Sequence, residues 1–156
     1  MLKSNVEAII RKSSFAVMVI SGLLAVFSIL AAVWGYPRNK GDYSKDIMNM
    51  YLENKISSYL SAAVLIVAAF IFFRIFRSGR PFTNGNIWAV RSIAGLFIIR
   101  GLVPLAVETL SGNLQPSLPR LLFNGIGVFF MAVLMLFFAE IMRYGKLLQI
   151  ESDETL

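Results

Sequence analysis

The sequence contains neither cysteine nor histidine. The first absence removes disulfides and thiolate chemistry, and the second removes the commonest metal ligand and general base. Charge is scarce too: Asp, Glu, Lys and Arg together make up 15% of the 156 residues, where soluble domains run at about a quarter. No aspartate falls inside a long apolar run, and neither a nucleophile elbow nor a phosphate-binding loop can be found. These gaps predict that the chain is not an enzyme and holds no cofactor or metal, and they leave no catalytic residue to nominate.

Apolar residues fill the space: 57% of the chain is hydrophobic and the mean hydropathy is +0.70. A bilayer core about 30 Å thick needs roughly 20 apolar residues of helix. Four stretches meet that need, at about 13–35, 56–76, 87–110 and 121–142, and together they predict a single all-α domain, an integral membrane four-helix bundle. The first run is too long for the core of a cleaved leader, so it is read as a retained helix.

Basic residues set the expected orientation. Lys3, Arg11, Lys12, Arg74, Arg77, Arg80, Arg143 and Lys146 flank one side of the spans; Arg38, Lys40, Lys45, Lys55 and Arg120 flank the other. The richer side is expected to be cytoplasmic, which puts both termini inside a bacterial cell membrane. A net charge of +6 is spread over helix flanks instead of forming one stripe, so anionic lipid headgroups are the expected counter-charge and no direct nucleic-acid contact is expected.

Residues 1–12 place Leu2, Val6, Ile9 and Ile10 at helical spacing, either as a short interfacial helix or as the start of the first span. The outer segment 36–54 reads as a reversal followed by a short amphipathic helix, and 111–119 as a loop. Residues 146–156 form an acidic cytoplasmic tail. Arg74-Ile75-Phe76-Arg77-Ser78-Gly79 aligns with Glu140-Ile141-Met142-Arg143-Tyr144-Gly145. Two parallel hairpin repeats would explain the match, and so would two similar stop signals at one interface. Ser21, Gly22 and Ala25, and Gly125, Gly127 and Ala132, offer small-residue faces for helix association.

The densest signal lies at 77–86. Gly79 can end a helix in the left-handed conformation, Pro81 prevents its continuation, and Thr83 can cap the next helix with Asn86 at the capping-box position. Arg80 and Phe82 are not required by such a turn, so Arg80, Phe82, Thr83 and Asn86 form a candidate partner-binding surface. The run Arg77-Ser78-Gly79-Arg80-Pro81-Phe82-Thr83, followed by Asn86 and Arg91-Ser92-Ile93-Ala94, together with the closing stretch 139–149, resembles the DUF2975 family of bacterial four-helix membrane proteins. The family often has proline and glutamate after the threonine, whereas this chain has Asn84 and Gly85. The resemblance implies no activity. It does imply a partner, because members are often encoded beside small helix-turn-helix regulators.

Charges within spans complete the reading. Matching depths pair Arg91 with Glu140 near the inner face and Glu108 with Arg120 near the outer face, as structural ion pairs. Arg74 competes for Glu140 if the hairpins repeat. Arg100 lies near mid-span, where an arginine costs about 2.5–3.5 kcal/mol to insert. Pro104 frees the carbonyl of Arg100 and favours a kink there. Arg100 and Glu108 therefore make a candidate intramembrane polar site, against the simpler reading of a snorkelling arginine. Two functions follow as expectations: a membrane partner that regulates a cytoplasmic helix-turn-helix protein, or a small transporter or amphiphile-binding protein using Arg100 and Glu108, which could act as a homodimer.

Overall fold

Apolar helical runs separated by short punctuation fold into four long helices: α1 (Leu2–Trp34), α2 (Lys45–Ser78), α3 (Asn84–Leu110) and α4 (Leu118–Glu154). The computed structural model describes the backbone at 2–35, 44–112 and 118–154, and side chains within these ranges except at 2–4, 7, 118–124 and 152–154. Each helix contains a segment long and apolar enough to cross a bilayer: Ala8–Trp34, Lys45–Ser78, Asn84–Leu110 and Gly125–Glu151.

Neighbours in sequence are neighbours in space. Helix α1 packs on α2, α2 on α3, and α3 on α4. Successive helices run antiparallel. Near the start of α1, the Phe15 ring meets Phe76 near the end of α2 at 5.4 Å between centroids, and at the opposite end Asn49 Nδ2 of α2 donates to Ser111 Oγ after α3 at 2.8 Å. The starts of α1 and α3 and the ends of α2 and α4 thus share one end of the molecule, called here the turn end.

The core is concentrated there. Ile71 and Ile75 of α2, Ile87, Val90 and Ile93 of α3, and Ala139 and Met142 of α4 form one buried cluster, with Ile10 of α1 against its edge. Outside it the molecule wears its apolar residues outward, with Leu23, Phe27, Phe70, Ile99, Phe130 and Phe137 all exposed. Water would penalise such a surface, whereas acyl chains would not. Helix α1 turns a seam of small residues inward instead: Ser14, Ser21, Ala25 and Ala32 are buried at steps of seven, four and seven, the spacing of a left-handed supercoil seam. Ala132 of α4 is buried as well, while a Cβ at Gly22 or Gly127 would meet only open space. Those two glycines are not close-approach points.

Three helices outrun the predicted spans. Helix α2 begins at Lys45, so the amphipathic segment expected before residue 56 is its first turns and not a separate helix. At about 1.5 Å per residue α2 is about 51 Å long, more than the roughly 40–45 Å of a whole bilayer. Helix α4 continues to Glu154, which makes the described part of the expected acidic tail a helical extension. Helix α1 is continuous from Leu2, which favours the helical start over a separate interfacial helix. A backbone that satisfies its own polar groups has no reason to stop at the membrane boundary.

Candidate functional site

The turn end is assembled from the α2–α3 connection upward. Gly79 adopts φ 68° and ψ 3°, and its N–H donates to the Ile75 carbonyl at 2.7 Å; only glycine enters this left-handed region without steric cost. Ser78 reinforces the stop, its hydroxyl donating to the Arg74 carbonyl at 2.7 Å and accepting the Arg80 N–H at 3.2 Å. The sequence reading had assigned Ser78 no role. Thr83 is extended at φ −114° and ψ 150° and caps α3, its Oγ1 accepting the Asn86 N–H at 3.3 Å.

Asn86 does more than fill the capping-box position. Its side chain is 1% exposed, and Nδ2 donates to the Pro81 carbonyl at 2.9 Å. The amide therefore ties the first turn of α3 back to the connection, as a second donor on a carbonyl that also accepts the Thr83 N–H at 3.2 Å. Phe82 also points inward. It is half-buried against the core cluster, and a Cβ added at Gly145 would stand 3.1 Å from its ring, so the glycine of α4 gives the ring room to approach that helix closely. Phe82, one of the candidate partner-binding residues, is half-buried as a wedge between the connection and α4. Of the four candidate partner residues, Arg80 is exposed, Phe82 and Thr83 are half-buried and Asn86 is buried.

Two polar contacts, Arg91–Glu140 and Lys146–Asn84, lock α4 onto α3. Arg91 Nη2 bonds Glu140 Oε1 as the depth argument expected, and Arg143 Nη1 approaches Glu140 Oε2 at 3.4 Å. Arg74 is not the partner of Glu140. It stacks over Phe70, its guanidinium carbon 5.8 Å from the ring centroid. Farther out, Lys146 Nζ donates to Asn84 Oδ1 at 3.0 Å. Trp88 is 66% exposed with Arg91 5.5 Å from its ring, an aromatic-cation pair of the sort that marks a membrane–water interface.

The intramembrane residues are not gathered into one site. Arg100 is half-buried and lies about 24 Å along α3 from Asn84, with Glu108 a further 12 Å or so on. A Cβ at the adjacent Gly101 would meet the Phe129 ring of α4 at 3.0 Å, so this glycine serves close helix contact. Helix α3 runs unbroken through the buried Pro104. Glu108 is buried; so is Glu53 of α2, which falls in the short amphipathic helix expected within 36–54. The Asn49–Ser111 contact sets the register, with Glu53 and Glu108 each about one turn inward of it on facing helices. The Arg120 side chain lies outside the described residues, and the proposed Glu108–Arg120 pair with it. Among the described residues no group of acidic side chains is arranged to hold a metal.

Four antiparallel apolar helices with an ion-paired turn end define a multi-pass α-helical membrane protein. The model of the family described as "Protein of unknown function (DUF2975)" matches residues 38–156, and the chain belongs to that family. No curated protein and no solved structure matches it.

Proposed function

We propose that the chain is a non-catalytic regulatory protein of the bacterial inner membrane that holds a cytoplasmic helix-turn-helix regulator at its turn end, with both termini on that side. The observation that carries this reading is a groove of about 270 Å³ between the connection and the last turns of α4, lined by Arg80, Phe82, Thr83, Lys146 and Ile150 among others. An aromatic floor, an aliphatic wall and two cations are the ingredients of a protein-docking surface. Beyond Lys146 the chain stays helical, so the exposed Leu147, Leu148 and Ile150 are held on a rigid element. The basic excess at this end supports a cytoplasmic orientation. The choice of a DNA-binding partner rests on the gene neighbourhoods that membership in the family implies. A solute path along Arg100 and Glu108 has less support, since the cavities described lie at the two ends and neither residue lines them.

Detergent capture of the neighbouring regulator by the full chain tests the reading. Arg80→Glu and Ile150→Asp, both at exposed positions, are expected to weaken capture by about tenfold or more, as loss of an interface anchor does. Undiminished capture by both variants would remove the groove from the account.

A further inference from the structure

A second cavity at the turn end, of about 550 Å³, is lined by Phe70, Phe73, Arg74, Arg77, Ser78 and Thr83. Its electrostatics are unbalanced. Arg74 and Arg77 sit one turn apart on α2, and the Arg74 guanidinium lies so close to the start of α3 that a Cβ at Gly85 would collide with it. That start is the positive end of a helix dipole, and the first turn carries no acidic residue. The Asn84 and Gly85 N–H groups precede the first residue that Thr83 caps and have no acceptor among the described residues. Glu140 is engaged by Arg91 and Arg143, and no described carboxylate bonds to Arg74 or Arg77. Two guanidinium groups and the head of a helix thus converge on one space with no carboxylate bonded to either arginine among the described residues.

The walls indicate which anion. Phe70 and Phe73 lie toward the membrane interior from the two arginines, and both are exposed on the outward apolar surface, so the cavity opens along the lipid-facing side of α2. An occupant would meet charge at headgroup level and aromatic rings at the level of the first methylenes. We propose that this cavity binds the phosphate group of an anionic phospholipid, with Arg74 and Arg77 as its cationic ligands, the α3 start as a donor edge, and Phe70 and Phe73 against the lipid's glycerol and upper acyl region. Glycine at 85 is part of the site. A glutamate there would push the Arg74 guanidinium aside and set a carboxylate beside it in the place of the lipid. The inference stands independently of the regulator reading, because none of the lipid ligands is a residue on which that test relies.

The test is native mass spectrometry of the full-length protein released from mixed micelles of phosphatidylglycerol and phosphatidylcholine with identical acyl chains, with helicity checked by circular dichroism. The wild-type chain is expected to retain phosphatidylglycerol over phosphatidylcholine by about tenfold or more, since each arginine near the surface contributes to anionic-lipid attraction. Arg74→Gln with Arg77→Gln should bring that ratio close to one, and Gly85→Glu, which keeps both arginines but displaces the Arg74 guanidinium and adds a carboxylate, should reduce it. Arg11→Gln, a lost charge at the same end outside the cavity, should keep it. If the double variant does not fold, Gly85→Glu decides. A folded double variant or Gly85→Glu variant with unchanged preference would overturn the proposal, as would equal retention of the two lipids by the wild-type chain. Inorganic phosphate competes in a separate arm: if it displaces phosphatidylglycerol at equal concentration, the site is for a soluble anion and the lipid assignment fails.

Discussion

The Asn86 amide donates to the Pro81 carbonyl across the α2–α3 connection at 2.9 Å, and this bond closes the turn on which the rest of the end is built. The other amide atom, Oδ1, is buried without a hydrogen-bond partner, so the value of the side chain lies in its donor. Asn86→Leu would remove one of the two donors on the Pro81 carbonyl, leaving it the Thr83 N–H at 3.2 Å, at a cost of about 0.5–1.5 kcal/mol. Asn86→Asp, which replaces the donor by a buried acceptor, should cost more. Thermal melts of the purified protein in one detergent, followed by helicity, would rank the two.

Gly79 gives a cleaner backbone prediction. At φ 68° any L side chain is strained, so Gly79→Ala should destabilise by about 1–2 kcal/mol. Thr83→Ala should cost about 1 kcal/mol through the lost cap, and Thr83→Ser should recover most of it. The Gly79→Ala melt tests the turn at a residue that lines neither the groove nor the cavity, whereas Thr83 lines both.

The Arg91–Glu140 bond predicts coupling between α3 and α4. Arg91→Gln and Glu140→Gln should each lower the melting temperature, and the double variant should lose clearly less than the sum of the two, because each single change strands a partner. Arg143, also on Glu140, should show weaker coupling. Strictly additive losses in the double-mutant cycle would mean that the bond does not hold the helices together.

Close packing at the same interface gives a steric test. Ala94 of α3 and Ala139 of α4 are both 0% exposed. Ala139→Leu adds a branched side chain to the buried cluster and should cost about 1–3 kcal/mol. Ala132→Leu, also on a buried position but outside that cluster, provides the comparison.

Much of this architecture is legible in the sequence because single residues dictate it. Gly79, Pro81 and Thr83 specify a stop, a break and a cap, and each does that in the structure. Arg91 and Glu140 could be paired from depth alone, since two helices of known direction fix the heights of their residues. Helix length was legible only as far as the membrane. Charges such as Asp46 and Glu53 mark the edge of the hydrocarbon, but a helix continues through headgroups and water wherever propensity allows, so α2 and α4 extend beyond their apolar runs. The packing of Phe82 against α4 is not legible because a sequence does not show which glycine faces an aromatic ring; Gly145, far along the chain, makes the space. The burial of Glu53 is not legible for the reason that shortens the expected α2: it lies in turns that read as a separate amphipathic helix outside the span.

Because the chain contains no cysteine, single-cysteine labelling in intact cells with a membrane-impermeant maleimide tests the central claim, four crossings with the turn end inside, most directly. Lys45→Cys should react from outside, whereas Arg80→Cys and Glu151→Cys should react only after the membrane is permeabilised. Labelling of Arg80→Cys in intact cells, or the same response at all three positions, would contradict the account.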